Sequence, residues 1–336
     1  MHLDSTNRTF LRRLGLLGIA LLALAGLAAC GDDEDTGGDA EPAADAAAEE
    51  VASTDDDATD SEADTGEETA AAPAPAEEEE PTPEPTPEPT PQPEPVEPFR
   101  ILVTNDDGIG ADGIDALVNA LSELPDVEIT VVAPAENQSG SSDTRSEGEV
   151  TGSESATASG FPAIAVTGTP ADSVLYALAD VVTEPPHLIV SGSNDGENIG
   201  PFAQISGTVG AARTGAREGI PGLAVSQGGV TVEPEFDVGV PIAIDWIVAN
   251  RDELQAREPG GLAPVVSINT PSCGDTGELE GVVETTLDVD FGDFAAFTVD
   301  CSVEVDPIVT DVDAFFSGYA AVTLLPEDLV AGTTGG

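Results

Sequence analysis

Lysine is missing altogether from this 336-residue chain, and nine arginines stand against 65 aspartates and glutamates, a formal net charge of -56. The missing amine excludes the phosphate-loop lysine and Schiff-base catalysis. The shortage of cations also argues against nucleic acid polymers and anionic lipid surfaces as partners, because phosphate is gripped through Lys and Arg. Histidine is almost as scarce, with His2 and His187 as the only two. A catalytic triad therefore has one candidate base in the folded part, and histidine-rich zinc sites are excluded. His187 follows Pro185 and Pro186 at a strand entrance, where a structural role is expected. Chemistry falls to carboxylates, hydroxyls, amides and backbone groups.

Only three cysteines occur, and Cys30 closes a segment with targeting features. Arg8, Arg12 and Arg13 precede an apolar run from Leu14 to Ala29 that ends in LAAC, with Gly31 after Cys30. The run is short for a membrane span and suits the core of a signal peptide over residues 1–30. The small residues before Cys30 resemble the lipobox of bacterial lipoproteins. That implies a lipidated Cys30 and an extracytoplasmic chain, in the periplasm or at the cell surface, that meets a membrane only through its anchor. An uncleaved anchor helix is the alternative, and it leaves the rest of the chain on the same side. In such an oxidising compartment Cys273 and Cys301 are candidates for a disulfide, two buried free thiols being the other reading.

Residues 31–98 are built of Asp, Glu, Ala, Thr and Pro, with PTPEPTPEPTPQPEP from Pro81 to Pro95 and no aromatic residue. Such a stretch buries too little surface to offset its ordering entropy, so a disordered, extended linker is expected. Residues 99–336 then form the folded domain. It holds 39 acids and six arginines from residue 100 onward, a surface suited to high salt, where self-repulsion is screened.

Within it, apolar runs of strand length alternate with helical ones. ILVT (101–104) precedes GIDALVNALSEL, EITVVAP (128–134) ends in a polar loop, and AIAVTG (163–168) leads into ADSVLYALADVV. HLIVSG (187–192) leads through glycines into GTVGAARTGAREG, and LAVSQ (223–227) is followed by a helix around AIDWIVAN. Continuously apolar strands separated by helices predict a Rossmann-like α/β domain, with a mostly parallel sheet covered on both faces. After VVSINTP (265–271) the pattern becomes irregular, and a β-rich extension is expected over Ser272–Pro326.

In such sheets ligands bind beyond the carboxyl ends of the strands. That collects four loops: Asn105–Gly108, Asn137–Ser142, Gly168–Asp172 and Ser193–Asn198. Asp106 and Asp107 are adjacent carboxylates at a strand end, and a divalent cation is the simplest way to keep both ionised. Ser139 and Asn194 can add neutral oxygens, which makes the expected cofactor one hard ion, Mg²⁺ or Mn²⁺. A turn with solvated acids is the plainer reading. Ser206, Gly207 and Thr208 stand where a helix should begin. Its N–H groups can bind phosphate without lysine, although these are also ordinary capping residues.

ILVTNDDGIGADGI, VVAPAENQSGSS, VTGTPADSV, LIVSGSNDGENIG and ISGTVGAARTGAREGIPGLAVS resemble, in order and spacing, the SurE family of metal-dependent nucleotidases. SINTP and FFSGYAAVTLLP resemble its C-terminal region. The resemblance implies a three-layer α/β/α fold and an arm used in homodimers or homotetramers. It further implies hydrolysis of nucleoside 5′- and 3′-monophosphates or related phosphomonoesters through a metal-activated water. Asp106, Asp107, Ser139 and Asn194 match the family's metal ligands, with the two aspartates also carrying catalysis. Asn105, Gly168, Thr169, Pro170, Asn198, Ser206, Gly207 and Thr208 match positions around the substrate phosphate.

Three departures add negative charge or remove positive charge nearby. Gln138 stands where the family usually has a basic residue, and Asp195 and Glu197 interrupt its SGINAGPN loop. They leave open a non-catalytic lipoprotein that keeps the fold to bind a cation or ligand. A metal-dependent enzyme acting on sugar nucleotides is a further alternative.

Overall fold

The computed structural model describes residues 97–229, 232–258, 260–290, 299–303 and 306–332. The expected signal peptide with Cys30, and the expected linker up to residue 96, lie outside the described residues. Among the described residues no helix is long and apolar enough to cross a membrane.

Nine strands among the described residues form one sheet. In chain order they are β1 (Phe99–Thr104), β2 (Val127–Pro134), β3 (Gly152–Ala156), β4 (Pro162–Val166), β5 (Leu188–Asp195), β6 (Gly222–Gly228), β7 (Val265–Pro271), β8 (Gly281–Thr285) and β9 (Tyr319–Leu324). Their order across the sheet is β3-β4-β2-β1-β5-β6-β7-β9-β8. The six strands from β4 to β7 in that order are parallel to their neighbours, while β3 and β9 pair antiparallel to β4 and β7. The helices are α1 (Asp112–Ser122), α2 (Pro170–Tyr176), α3 (Gly207–Arg217), α4 (Phe236–Gln255), α5 (Asp311–Phe316) and α6 (Glu327–Ala331).

Both faces of the central strands are buried, which is why their sequences are apolar without alternation. Ile101 and Val103 of β1 pack with Ile114, Leu117, Val118 and Leu121 of α1 and with Ala243 and Ile247 of α4. Leu102 points the other way, into a cluster with Val174 of α2 and Ala211 of α3. The α1 positions recur at helical spacing and form one apolar stripe. Helices on both faces make this the three-layer α/β/α domain.

Three features differ from the sequence expectation. β5 does not stop at Gly192 but runs to Asp195, because its pairing with β6 breaks after Ser191 and resumes at Asn194. The polar edge strand β3 lacks the apolar pattern by which the other strands are recognised. The C-terminal region is part of the main sheet, since β9 hydrogen-bonds to β7 and carries β8 at the edge.

Cys273, just after β7, is bonded to Cys301, with an S–S distance of 1.98 Å. The pair packs with Ile199, Val312 and Phe315. His187 precedes β5, stacks on Phe99 and accepts the Arg100 N–H at 2.9 Å through Nδ1. Burial lowers its pKa, as does the neighbouring Arg100 charge. It lies at the strand entrances, the end of the sheet opposite the candidate site.

Candidate active site

β1 has β2 on one side and β5 on the other, and the chain moves outward in opposite directions from it, to β4 and to β7. The C-terminal ends of β1 and β5 therefore flank a topological switch point, where open α/β sheets bind ligands. Asp106 and Asp107 follow β1, Asn194 lies at the end of β5, and Ser139 sits in the loop after β2.

Asp106 is 3% exposed, and no ion pair among the described residues includes it or Asp107. Its Oδ1 accepts the Thr208 hydroxyl at 2.5 Å, and its main-chain oxygen accepts the Gln138 N–H at 2.6 Å. Burial holds its carboxyl above the usual carboxylate range, while the Thr208 hydroxyl and the N–H groups of Gly207 and Thr208 pull it back. The first turn of α3, expected to cradle a phosphate, thus directs these two N–H groups at Asp106.

Asp107 accepts the Asp195 N–H at 3.1 Å through Oδ2 and the Asn137 side-chain amide at 3.4 Å through Oδ1. Burial pushes its pKa up to about 6. The Asp195 N–H opposes that rise, and the charges of Asp106 and Asp195 add to it.

Asn194 donates from Nδ2 to the Gly196 oxygen at 2.9 Å, which leaves its amide oxygen for a ligand. Ser139 is exposed and donates its N–H to Asn137 Oδ1 at 2.9 Å. Among the described residues the buried Asn105 Oδ1 and Ser141 Oγ have no hydrogen-bond partner. Ser141 and Asp106 meet at Gly207, where an added Cβ would stand 2.8 Å from Ser141 Oγ and 2.7 Å from Asp106 Oδ2. Among the described residues no group of three or more His, Cys, Asp and Glu side chains is gathered. A cation here would rest on two carboxylates and neutral oxygens. A buried and a half-buried carboxylate, unpaired with any cation among the described residues and beside unpartnered oxygens, fit a hard divalent ion.

The other expected site residues are tied differently. Ser206 caps α3 by accepting the Val209 N–H at 3.1 Å. Thr169 caps α2 in a reciprocal pair with Asp172, donates its hydroxyl to the Thr144 oxygen at 2.7 Å, and Pro170 opens the helix. A Cβ on Gly168 would meet Asp172 at 2.9 Å. Asn198 is buried, with its amide donating to Ser226 and its N–H to Asn269. Among the described residues no hydrogen bond joins Asn198 or the Gly168–Pro170 turn to the aspartates. Asn105 donates to the Gly108 oxygen at 2.8 Å and closes the turn that carries both aspartates. Asn137 was missed by sequence reasoning. Its place two residues before Ser139 is the Asx-turn spacing, a signal that could have found it.

The family model for the survival protein SurE matches residues 101–289, a span that contains every one of these loops. The chain belongs to the SurE family. A protein of Hyphomonas neptunium named 5′-nucleotidase SurE is 31% identical over 245 residues, which cover 68% of this chain and 94% of that protein. Relatives of the same name from Methanopyrus kandleri and Dehalococcoides mccartyi are 47% and 45% identical over 128 and 138 residues. In those two matches the chain spans about half of the relative, 48% and 51%. The crystal structure of the SurE protein from Aquifex aeolicus superposes with a TM-score of 0.53 at 27% identity, over 67% of this chain and 92% of that one.

Proposed function

We propose that this SurE-family chain is a metal-dependent phosphomonoesterase that converts nucleoside 5′-monophosphates, and 3′-monophosphates as a second class, to nucleoside and phosphate. The observation that carries this reading is the adjacent pair of buried Asp106 and half-buried Asp107, with no cation among the described residues paired to either, at the switch point of the sheet. The Hyphomonas relative, similar along nearly its whole length, supports the nucleotide as substrate.

Asp106, Asp107, the Ser139 hydroxyl and the Asn194 amide oxygen would hold one Mg²⁺ or Mn²⁺. Such an ion polarises a phosphoryl group and lowers the pKa of a water that attacks phosphorus. The chain's own residues prepare that chemistry. Thr208 fixes Asp106 in direction, and with the α3 N–H groups it opposes the rise that burial imposes on that carboxyl. Asn137 and the Asp195 N–H engage both oxygens of Asp107. Without a cation the two carboxylates repel a phosphate dianion, so substrate binding depends on metal loading. Asp195 and Glu197 add to the repulsion, and salt should therefore strengthen substrate binding.

The same proposal places the enzyme outside the cytoplasm on a lipid anchor at Cys30, as a homodimer or homotetramer. The first thirty residues support the anchor. The test is phosphate release by the full chain from AMP, GMP, 3′-AMP, p-nitrophenyl phosphate and a nucleotide sugar, in Mg²⁺, Mn²⁺ or EDTA, across a salt series. Metal-dependent release from the monophosphates is expected. A folded protein that turns over none of them, yet binds cations, would be the non-catalytic module instead. Turnover of the nucleotide sugar alone would give the sugar-nucleotide enzyme.

A further inference from the structure

Arginines are scarce in this domain, yet two of them converge on one carboxylate outside the aspartate pair. Arg213 of α3 is 4% exposed and donates to Asp143 Oδ2 at 2.9 Å. Arg217, one turn further along the same helix face, donates to the same oxygen. Among the described residues Asp143 is the sole carboxylate paired with Arg213, whose Nε–H is buried without a partner. The two arginines hold the Asp143 carboxyl below its ordinary range against the effect of its burial.

Asp143 closes the loop that carries Ser139. At the start of that loop the Gln138 N–H is bonded to the Asp106 oxygen. At its end Ser142 donates its N–H to the Ile205 oxygen at 3.1 Å and its hydroxyl to the Gln204 oxygen at 2.7 Å. Gly210 of α3 makes room for this end, since a Cβ there would stand 2.1 Å from the Ser142 oxygen and 2.7 Å from the Asp143 nitrogen. Ser139 itself is exposed and sits between the two anchors. One helix therefore holds both parts of the oxygen shell, Asp106 through its first turn and the Ser139 loop through its middle and end.

We propose that Asp143, Arg213 and Arg217 form a positioning cluster that fixes Ser139 relative to Asp106 and Asp107 and so sets the affinity of the site for a divalent ion. This rests on the metal reading above. Asp143→Asn alone leaves a buried unpaired guanidinium, so a loss of affinity in that variant could reflect unfolding. Asp143→Asn with Arg213→Met removes the carboxylate and the buried guanidinium, leaves only the more exposed Arg217, and separates the effects.

Mn²⁺ binding to the full chain, measured by calorimetry beside thermal unfolding and hydrogen exchange of the loop amides, decides the matter. The double variant is expected to melt close to the wild type, to exchange the Ser142 N–H faster, and to bind Mn²⁺ about tenfold or more weakly. Unchanged Mn²⁺ affinity in the folded double variant would overturn the positioning role and leave the metal reading intact. A wild type that binds no Mn²⁺ would overturn both. Should the double variant not fold, Arg217→Gln at the more exposed end carries the test, with weakened binding in favour and unchanged binding against.

Discussion

The hydroxyl of Thr208, in the first turn of α3, donates to Oδ1 of Asp106 at the end of β1 across 2.5 Å, and both side chains are buried. This bond joins the helix and the strand that define the site. Thr208→Val keeps the shape and removes the donor, leaving burial to push the Asp106 carboxyl further up. A hydrogen bond to a charged group contributes about 1.5–3 kcal/mol, so kcat/KM should fall roughly 10- to 100-fold. Circular dichroism should be unchanged, and Thr208→Ser should recover most of the activity.

Gly207→Ala tests the close approach of α3 to the carboxylate. Alanine favours a helix over glycine by about 1 kcal/mol, yet here its Cβ would press on Asp106 Oδ2 at 2.7 Å and Ser141 Oγ at 2.8 Å. Helix content should therefore persist while phosphate release drops at least about tenfold, the size of effect expected from misplacing a reacting group.

Asp107 gives a pH dependence with a definite sign. Its pKa is raised from 3.8 to about 6. Between those values the folded chain holds a proton that the unfolded chain has lost. In the metal-free protein this group lowers stability as pH rises through that window, and the full penalty is present above about 6. Mn²⁺ should accordingly raise the melting temperature more at pH 7.5 than at pH 5. In Asp107→Asn the difference should shrink to what the raised Asp106 carboxyl contributes.

The Cys273–Cys301 bond closes a separation of 28 residues and packs against Ile199, next to Asn198. Replacing both cysteines by serine should lower stability by about 3 kcal/mol, read by denaturant unfolding, with a smaller effect on KM than on stability.

Much of this molecule can be read from its residues, for physical reasons that also mark where reading stops. The central strands are legible because burial on both faces leaves runs such as ILVT and HLIV with no polar interruption, and α1 because Ile114, Leu117, Val118 and Leu121 mark one stripe. Asp106, Asp107 and Asn194 are legible as a group because strand ends of a parallel sheet converge at the switch point. The polar strand β3 is not, since an edge strand need bury little, and neither is the extension of β5 past Gly192, which depends on how β5 pairs with β6. The partners of Thr208, Asn137 and Asp143 lie 102, 30 and 70 residues away. Sequence spacing gives no sign of contacts that only the fold creates.

The most direct test of the central claim is phosphate release from AMP by the full chain in Mn²⁺, measured beside the same protein in EDTA and beside Asp107→Asn. Release that vanishes in EDTA, returns with Mn²⁺ and is lost by about a thousandfold or more in the variant, as expected when a metal-centred catalytic group is removed, is the predicted result. Release that survives both EDTA and the substitution would contradict a metal-dependent site at the end of β1.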